Sequence, residues 1–414
     1  MQATHNPVFT PGELLQRFAE ARAESDRLFA IVRREALYER PIPDRHRIVF
    51  YLGHLEAFEG NLLRETVGGM TSFNPEFDRL FAFGIDPVGT ALPSDRPEDW
   101  PSLSQIHDYN QRLREQIDAQ GVRDAQLLNV AIEHRLMHCE TLAYMLHRLP
   151  LGQKLRSRDN AVAVSREALQ PAMVEVPVGP VTLGLSGNSA DFGWDNEFEA
   201  HTVEVPAFAI DKYKVSNGEY LEFLEAGGYA NRAFWTEADW QWRVAQNITH
   251  PAFWQRGADG WLYRGMFEEA ALPLDGPVYV SHAEASAYVR WAGKKLPTEP
   301  QWQRAALEAQ PRGNADFQYW DPTPVNAFPD SRSAFGAVEM IGNGWEWTSS
   351  VFAPFAGFEP FPFYPGYSAN FFDGQHYVMK GGSPRTAACM LRPSFRNWFQ
   401  PHYPYVYAGF RCVS

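Results

Sequence analysis

The sequence predicts an α+β protein of two domains, a four-helix bundle followed by a loop-rich domain of short strands and helices. Its 414 residues exceed what one hydrophobic core usually supports. Amphipathic helical periods fill the first 150 residues, and short alternating stretches separated by turn residues follow. Aromatic residues make up 14% of the chain, and most of the 13 Trp lie beyond residue 190. We place the bundle at residues 1–155, a linker at 156–174 and the second domain at 175–414.

The charge and composition exclude several classes of function. The chain has 37 basic and 50 acidic residues and a net charge of -13, whereas nucleic-acid and anionic-membrane surfaces need a basic stripe. The first residues lack the features of a secretory signal, and no run of about 18 apolar residues predicts a membrane span. Three cysteines are too few for a disulfide framework. We therefore expect a cytoplasmic enzyme that binds small molecules, and neither nucleic acid nor membranes.

Four helices are predicted in the first domain. Thr10 and Glu13 have the spacing of a capping box, and the helix that they open is predicted to reach about Leu37. Gly68 and Gly121 each follow an amphipathic run and are expected to end it. The remaining three helices are predicted over residues 44–67, 102–120 and 123–149. Apolar stripes on four helices joined by loops predict an antiparallel bundle.

The sequence predicts irregular α+β structure for the second domain. We predict short helices over residues 216–225 and 282–292. Short strands are predicted around Val203–Val205 and Tyr279–Val280, where apolar and polar residues alternate or β-formers cluster. The remainder is expected to be loop.

Three histidines lie on apolar stripes of the bundle. His134 and His138 are four residues apart on the fourth helix and therefore share one face. His54 lies on a stripe of the second helix together with Phe50 and Phe58. Imidazoles with this spacing can bind one metal, as in helical zinc motifs. Three nitrogen ligands suit zinc, copper or iron, and open coordination positions would make the metal catalytic.

The same histidines have a simpler interpretation. A histidine in an apolar helical stripe is often a hydrogen-bonded core residue, and pairs four residues apart arise by chance. His147 lies on the same helix as the pair, and we interpret it as a surface or C-terminal residue favoured by the helix dipole. Residue spacing alone leaves both interpretations of the other three histidines open.

An ordered series of motifs gives the second domain a specific resemblance. The motifs are 192–197 (FGWDNE), 201–205 (HTVEV), 215–220 (VSNGEY), 277–281 (PVYVS), 296–299 (LPTE), 342–348 (GNGWEWT), 380–383 (KGGS) and 409–411 (GFR). Together they resemble the formylglycine-generating-enzyme fold, which is C-type-lectin-like, over nearly all of residues 175–414. The first domain resembles a DinB-type bundle.

A DinB-like bundle followed by this fold is typical of ergothioneine sulfoxide synthases and the related selenoneine synthases. The resemblance implies that His54, His134 and His138 bind Fe(2+), because they match the three histidines that the family uses. It further implies O2-dependent attachment of sulfur or selenium to the imidazole of hercynine, which is Nα-trimethylhistidine.

The resemblance also assigns substrate-binding and catalytic residues. Asn397, Trp398 and Phe399 match the stretch with which the family holds the betaine, and aromatic faces suit a quaternary ammonium that cannot donate a hydrogen bond. Tyr364 and Tyr367 match the tyrosines that the family places near the iron, where a neutral phenol can give a proton. Packing alone could also explain these aromatic residues.

Two departures from the ergothioneine enzymes favour the selenium branch. Met137 stands where those enzymes commonly have the Gln that contacts the substrate imidazole. The loop at residues 83–100 is acidic with the single arginine Arg96, whereas thiol-using relatives have an arginine-rich stretch that grips γ-glutamylcysteine. We expect this loop to repel a dicarboxylate and to accept a neutral selenosugar.

Three other functions remain as alternatives. The first is an ergothioneine-type sulfoxide synthase that joins hercynine to cysteine or γ-glutamylcysteine. The second is a copper-dependent formylglycine generator, which needs a catalytic cysteine pair, but Cys389 and Cys412 are 23 positions apart and lack the expected motif. The third is a lectin-like binding module without catalysis, in which the three histidines would hold no metal.

Overall fold

The structure is a computed structural model, and it describes residues 9–82, 93–156 and 169–414. Within these ranges the chain forms two compact units. The first comprises residues 9–156 with 190–192, and the second comprises residues 169–189 with 193–414. Parts of two predicted segments lie outside the described residues. They are residues 83–92 of the loop at 83–100, called the donor loop because it is predicted to select the chalcogen donor, and residues 157–168 of the predicted linker.

Four long helices and one short helix build the first unit. They are α1 (Pro11–Ala30), α2 (Ile48–Thr66), α3 (Pro75–Leu80), α4 (Leu103–Gln120) and α5 (Ala125–Arg148). The capping box of Thr10 and Glu13 is confirmed, and Gly121 ends α4 in the left-handed conformation with φ of 62°. The predicted set of four long helices is therefore confirmed.

The first helix ends earlier than predicted. After Ala30 the chain enters a β-bridge between Val32 and Lys154, and a 3-10 helix at Arg34–Tyr38 follows. Pairing with a distant segment overrides the local helical period at this point, because the bridge needs extended backbone. The prediction that the helix reaches Leu37 was wrong.

Helix α2 occupies the middle of the first unit. It packs against both α4 and α5, while α1 packs against α5. Fourteen of its nineteen residues are buried, so it is enclosed on nearly every side. Gly53 and Gly60 permit close approach, because a Cβ atom at either position would lie within 3.0 Å of Phe81 or Leu113 respectively.

Short elements joined by long loops build the second unit. Its helices are α6 (Asn217–Glu225), α7 (Glu237–Ala245), α8 (His282–Trp291) and α9 (Glu299–Ala305). Its strands are β1 (Met173–Val176), β2 (Gly179–Leu183), β3 (His201–Val205), β4 (Phe208–Asp211), β5 (Trp254–Arg256), β6 (Trp261–Arg264), β7 (Glu269–Ala271), β8 (Trp345–Val351), β9 (Tyr377–Lys380), β10 (Asn397–Phe399) and β11 (Ala408–Gly409).

The strands form small sheets rather than one large one. Strands β1 and β4 pair antiparallel, as do β2 and β3, and β5, β6 and β7 form an antiparallel meander. The fourth sheet has the order β10-β9-β8-β11, in which β11 is parallel to β8 and the other pairs are antiparallel. This sheet carries the 397–399 segment on its edge.

The predicted helices 216–225 and 282–292 are confirmed as α6 and α8, whereas α7 and α9 were not predicted. The strand predicted at Tyr279–Val280 was wrong. Both residues are fully buried, and the Val280 amide donates to the Ala408 carbonyl in an isolated contact rather than in a ladder. A β-forming composition here reflects burial and not membership of a sheet.

Buried ion pairs hold the loops of the second unit. Arg411 binds Glu346 at 3.0 Å, and Lys214 binds the same carboxylate at 3.0 Å. All three side chains are fully buried. Their ion pairs therefore connect segments of the second unit that are far apart in sequence. Among the helices that the structure describes, none is long and apolar enough to cross a membrane.

Candidate functional site

The three predicted histidines of the bundle converge on one point. His54 comes from α2, and His134 and His138 come from α5. One ring nitrogen from each lies within 4.8 Å of the others, and the Nε2 atoms of His54 and His138 are 3.3 Å apart. His54 and His134 are buried and His138 is partly buried.

A backbone carbonyl orients the His54 ring. Its Nδ1–H donates to the carbonyl oxygen of Phe81 at 2.7 Å. Because Nδ1 then carries the proton, Nε2 presents its lone pair toward His138. Ligating histidines are commonly fixed by such an outer hydrogen bond. The Nδ1 atom of His138 is buried and has no hydrogen-bond partner among the residues that the structure describes.

Burial keeps the three imidazoles neutral. It lowers the pKa of His54 to about 4, with the Phe81 hydrogen bond opposing the shift in part. Burial also places the pKa of His134 and of His138 well below its ordinary value, and the neighbouring histidines add to both shifts. Neutral imidazole is the form that binds a metal.

Aromatic rings line the three histidines. Phe50 stacks on His54 with ring centroids 5.0 Å apart, and Phe58 stacks on His134 at 3.4 Å. Tyr51 lies 5.7 Å from His138. These rings lower the polarity around the histidines, which strengthens any interaction with a bound cation.

The arrangement fits a divalent transition metal. Metal–nitrogen bonds of about 2.1 Å place two adjacent imidazole ligands about 3 to 3.4 Å apart, which matches the 3.3 Å between His54 and His138. Three neutral imidazoles suit iron, zinc or copper. The residues present therefore fit the metal that the sequence implies.

We interpreted His147 as a surface or C-terminal residue. It does lie in the last turn of α5, but its placement at the surface was wrong. Its side chain has no exposed area. The α5 helix has 17 buried residues among its 24, so it is enclosed almost to its end and leaves little surface there for a charged imidazole. Burial of His147 depends on what packs around the helix and not on the helix alone.

Asp95 lies in the described part of the donor loop, and its carboxylate is paired within the protein. The Asp95 side chain forms ion pairs with Arg40 and with Arg47, the latter at 2.9 Å, and it accepts the indole N–H of Trp100 at 2.8 Å. The charge of Asp95 is therefore compensated by these arginines, and the expectation that the loop at residues 83–100 repels a dicarboxylate stays a prediction. The same contacts occupy two arginines that could otherwise bind an anion.

In the second unit the structure brings Tyr364, Tyr367 and Trp398 into one aromatic cluster. Tyr367 stacks on Trp194 with centroids 3.9 Å apart and meets the ring of Trp398 edge-on at 5.5 Å. Tyr364 lies 5.7 Å from Tyr367. Trp398 in turn stacks on Phe352 at 4.2 Å.

The strand geometry separates the other two predicted residues from this cluster. Because side chains alternate along a strand, Asn397 and Phe399 share one face of β10 and Trp398 takes the opposite face. Phe399 stacks on Tyr403 at 5.1 Å. All three β10 residues are partly exposed, so each retains surface that a ligand can contact.

Buried charges fix the segment that leads into β10. Arg396 pairs with Glu299 at 2.9 Å and lies between the rings of Phe352 and Phe355. Lys380 donates to the carbonyls of Pro393 and Phe395, each at 2.7 Å. This scaffold holds the backbone of residues 393–399 in place.

The Tyr364 phenol stays protonated at neutral pH. Burial raises its pKa above the ordinary value, and the nearby Asp195 carboxylate raises it further. Asp195 itself accepts a hydrogen bond from Ser368 at 2.6 Å. A neutral phenol beside an aromatic cluster can donate a proton or a hydrogen bond to a ligand.

Comparison with known proteins adds the family. Residues 159–414 match the model of the Sulfatase-modifying factor enzyme 1-like domain. The chain is 37% identical over 306 residues to the Hercynine oxygenase of Mycobacterium tuberculosis, an alignment that covers 70% of this chain and 71% of the relative. The chain belongs to the hercynine oxygenase family.

Two further members of the family are similar. The Hercynine oxygenase of Mycolicibacterium thermoresistibile is 37% identical over 311 residues, covering 70% of this chain and 68% of the relative. Ergothioneine biosynthesis protein 1 of Neurospora crassa is 27% identical over 487 residues, covering 92% of this chain and 55% of the relative. The similarity to this last protein extends over both units.

The environment of Cys412 does not support the alternative that needs a catalytic cysteine pair. Burial, followed by the charge of Asp211, raises the pKa of the Cys412 thiol well above its ordinary value. A reactive or metal-binding cysteine needs the opposite shift.

Sequence reasoning missed one charged cluster beside the histidines. Arg135, which follows His134, is fully buried together with Glu56 and Glu59 of α2. The sequence contains a signal for this cluster, because two glutamates interrupt an otherwise apolar run in α2. Buried glutamates are rare unless they are paired, so a buried partner could have been expected.

Proposed function

We propose that this chain is an Fe(2+)- and O2-dependent enzyme that joins the imidazole of hercynine to the selenium of a selenosugar. The observation that carries the proposal is the convergence of three neutral histidines, in a chain that belongs to the hercynine oxygenase family. We infer that the first unit is a DinB-like bundle that provides these ligands.

His54, His134 and His138 would hold the iron through ring nitrogens. When bound, iron(II) supplies the activation of O2 that the reaction needs. The chain keeps the ligands neutral by burial, fixes the His54 tautomer through Phe81 and lines the rings with Phe50 and Phe58. These are the tasks of the protein at a catalytic metal.

The second unit would bind the trimethylammonium end of hercynine. The quaternary nitrogen has no hydrogen to donate, so the aromatic face of Trp398, which lies in the cluster with Tyr367 and Tyr364, is a suitable partner. Asn397 offers an amide to the carboxylate of the betaine. Tyr364, protonated at neutral pH, would hold or deliver a proton during bond formation.

A neutral donor is favoured by the contacts of Asp95. Arg40 and Arg47 are engaged by this carboxylate, and Arg47 also donates to the Tyr38 and Asp95 carbonyls. A dicarboxylate such as γ-glutamylcysteine would have to displace these contacts, whereas a hydroxyl-rich selenosugar would not. Met137 is a second departure from the ergothioneine enzymes, because its thioether cannot replace the amide with which they contact the substrate imidazole.

The overall change can be written without specifying an intermediate. The imidazole C–H and the Se–H bonds break, and a C–Se bond forms. For a selenide product, O2 accepts the two electrons and two protons as hydrogen peroxide. For a selenoxide product, one oxygen atom goes to selenium and the other leaves as water.

The second candidate is a sulfoxide synthase that joins hercynine to cysteine or γ-glutamylcysteine. The names of the relatives favour it, because they include Hercynine oxygenase and Ergothioneine biosynthesis protein 1. The two candidates share the metal and the betaine and differ only in the chalcogen donor.

Metal analysis of single variants tests the feature common to both candidates. His54→Ala, His134→Ala and His138→Ala should each lose most of the iron after anaerobic reconstitution, as measured by inductively coupled plasma mass spectrometry. His147→Ala, a buried histidine of the same helix, serves as the control and should retain it. Full iron retention in all three variants would instead support a binding module without catalysis.

A further inference from the structure

A buried ion-pair network connects the two helices that carry the three histidines. Arg135 of α5 has no exposed area, and its guanidinium binds Glu59 at 2.6 Å and Glu56 at 2.8 Å. Both glutamates belong to α2 and are buried.

The network extends to the other long helices. Glu59 also binds Arg22 of α1 at 3.3 Å, and Arg22 binds Asp118 of α4 at 2.8 Å. Glu56 also binds Arg114 of α4 at 2.6 Å. Arg135 completes the set by donating to the hydroxyl of Ser25 on α1 at 2.9 Å. One connected group of charges therefore contacts α1, α2, α4 and α5.

Such a network is poorly explained as a source of stability alone. Removing charges from water carries a large desolvation cost, and apolar residues of similar volume often stabilise a core equally well. Ion pairs differ from apolar contacts in being directional, so they can fix the register of two helices. Helix α2 is enclosed on nearly every side, so directional contacts with Arg135 can help to fix its register against α5.

The network lies next to the histidines in sequence on both helices. Arg135 follows His134 directly, and Glu56 and Glu59 lie two and five residues after His54. A shift of α2 against α5 that separates Arg135 from the glutamates also moves the Nε2 atoms of His54 and His138, which are 3.3 Å apart. The two sets of contacts therefore respond to the same helix displacement.

We propose that Arg135, through its paired contacts with Glu56 and Glu59, is a positioning residue that sets the geometry of the three histidines for the metal. Arg135 is not a ligand and acts only through the register of α2 and α5. The inference rests on the proposed metal-binding function of the three histidines.

The test compares three variants of the full chain. The first combines Glu56→Gln, Glu59→Gln and Arg135→Gln, which removes all three charges and leaves no unpaired buried ion. The second, Arg135→Lys, keeps the charge but loses the fork that reaches both glutamates. The third, Leu14→Ala, shortens a buried side chain in the first turn of α1 and serves as a stability control.

Two readouts separate positioning from stability. The first is the dissociation constant for Fe(2+), measured anaerobically by calorimetry at a temperature where circular dichroism shows each variant to be folded. The second is the visible ligand-field spectrum of the Co(2+)-loaded protein, which reports coordination geometry. We expect the triple variant to bind Fe(2+) about 10 to 100-fold more weakly with an altered spectrum. Leu14→Ala should lower the melting temperature and leave both readouts unchanged.

The outcomes distinguish this inference from the proposed function. Wild-type affinity and spectrum in the triple variant would overturn the positioning role, whatever its melting temperature. If the triple variant does not fold, Arg135→Lys decides, with a weaker Fe(2+) affinity supporting the role and an unchanged affinity overturning it. If the wild-type chain itself binds no Fe(2+), the proposed function fails and this inference fails with it.

Discussion

Replacing Gly53 by alanine should weaken metal binding without touching a ligand. A Cβ atom at position 53 would lie 2.6 Å from three ring atoms of Phe81. Ordinary contacts begin at 3.4 Å, so the Phe81 ring must withdraw by roughly 0.8 Å. The same residue holds the His54 ring through its carbonyl oxygen at 2.7 Å.

The size of the effect follows from these distances. If the Phe81 backbone moves with its ring, the contact between His54 Nδ1 and the Phe81 oxygen lengthens to about 3.5 Å, where a hydrogen bond is largely lost. Loss of an outer contact of this kind typically weakens metal affinity about 10 to 100-fold. Folding should change less, because the helix propensity of alanine contributes about 1 kcal/mol against an overpacking cost of about 1 to 3 kcal/mol.

The chain offers a matched control in Gly60→Ala. This glycine lies in the same helix, and its Cβ would meet Leu113 at 2.8 Å, away from the Phe81 contact. The assay is anaerobic Fe(2+) titration against a chromophoric chelator, with urea unfolding of both variants. We expect weaker Fe(2+) binding in Gly53→Ala alone. Equal affinities in the two variants would refute the role assigned to Phe81.

Three other outcomes are expected. Tyr364→Phe should slow product formation about 10² to 10⁴-fold while the calorimetric affinity for hercynine stays the same, and an unchanged rate would exclude this phenol from proton transfer. Trp398→Leu should weaken hercynine binding about 2 to 30-fold, the equivalent of a lost cation–π contact of about 0.5 to 2 kcal/mol, and should leave Fe(2+) binding intact; unaltered hercynine affinity would assign Trp398 to packing. Burial lowers the pKa of His282 to about 4, so between pH 6.5 and 4 the unfolded chain holds a proton that the folded chain lacks, and the free energy of unfolding should fall as the pH falls. Urea titrations should show a shallower pH dependence in His282→Phe, and identical slopes would contradict the assigned shift.

The sequence predicted the structure best where local patterns of helical residues are regular. The capping box of α1 predicted a helix start and the spacing of His134 and His138 predicted a shared face, because both depend on local geometry. The end of α1 was missed because a bridge to Lys154 decides it. The burial of His147 was missed for the same reason, since packing from outside the helix determines it.

Charged contacts between distant residues could not be predicted from spacing. The pairing of Asp95 with Arg40 and Arg47 joins positions about 50 residues apart, so the local sequence does not show that this carboxylate is compensated. In the second unit, the resemblance grouped Asn397, Trp398 and Phe399 into one binding element. The alternation of β10 places them on two faces, which depends on strand pairing with β9.

The most direct test of the proposed function is mass spectrometry of one aerobic reaction. The reaction contains Fe(2+)-loaded protein, hercynine and equal amounts of 1-selenoglucose and γ-glutamylcysteine. We predict a conjugate of hercynine with the selenosugar as the main product, absent when hercynine or Fe(2+) is omitted. A sulfoxide conjugate with γ-glutamylcysteine and no selenium product would contradict the selenium assignment, and the absence of any hercynine conjugate would contradict the proposed activity itself.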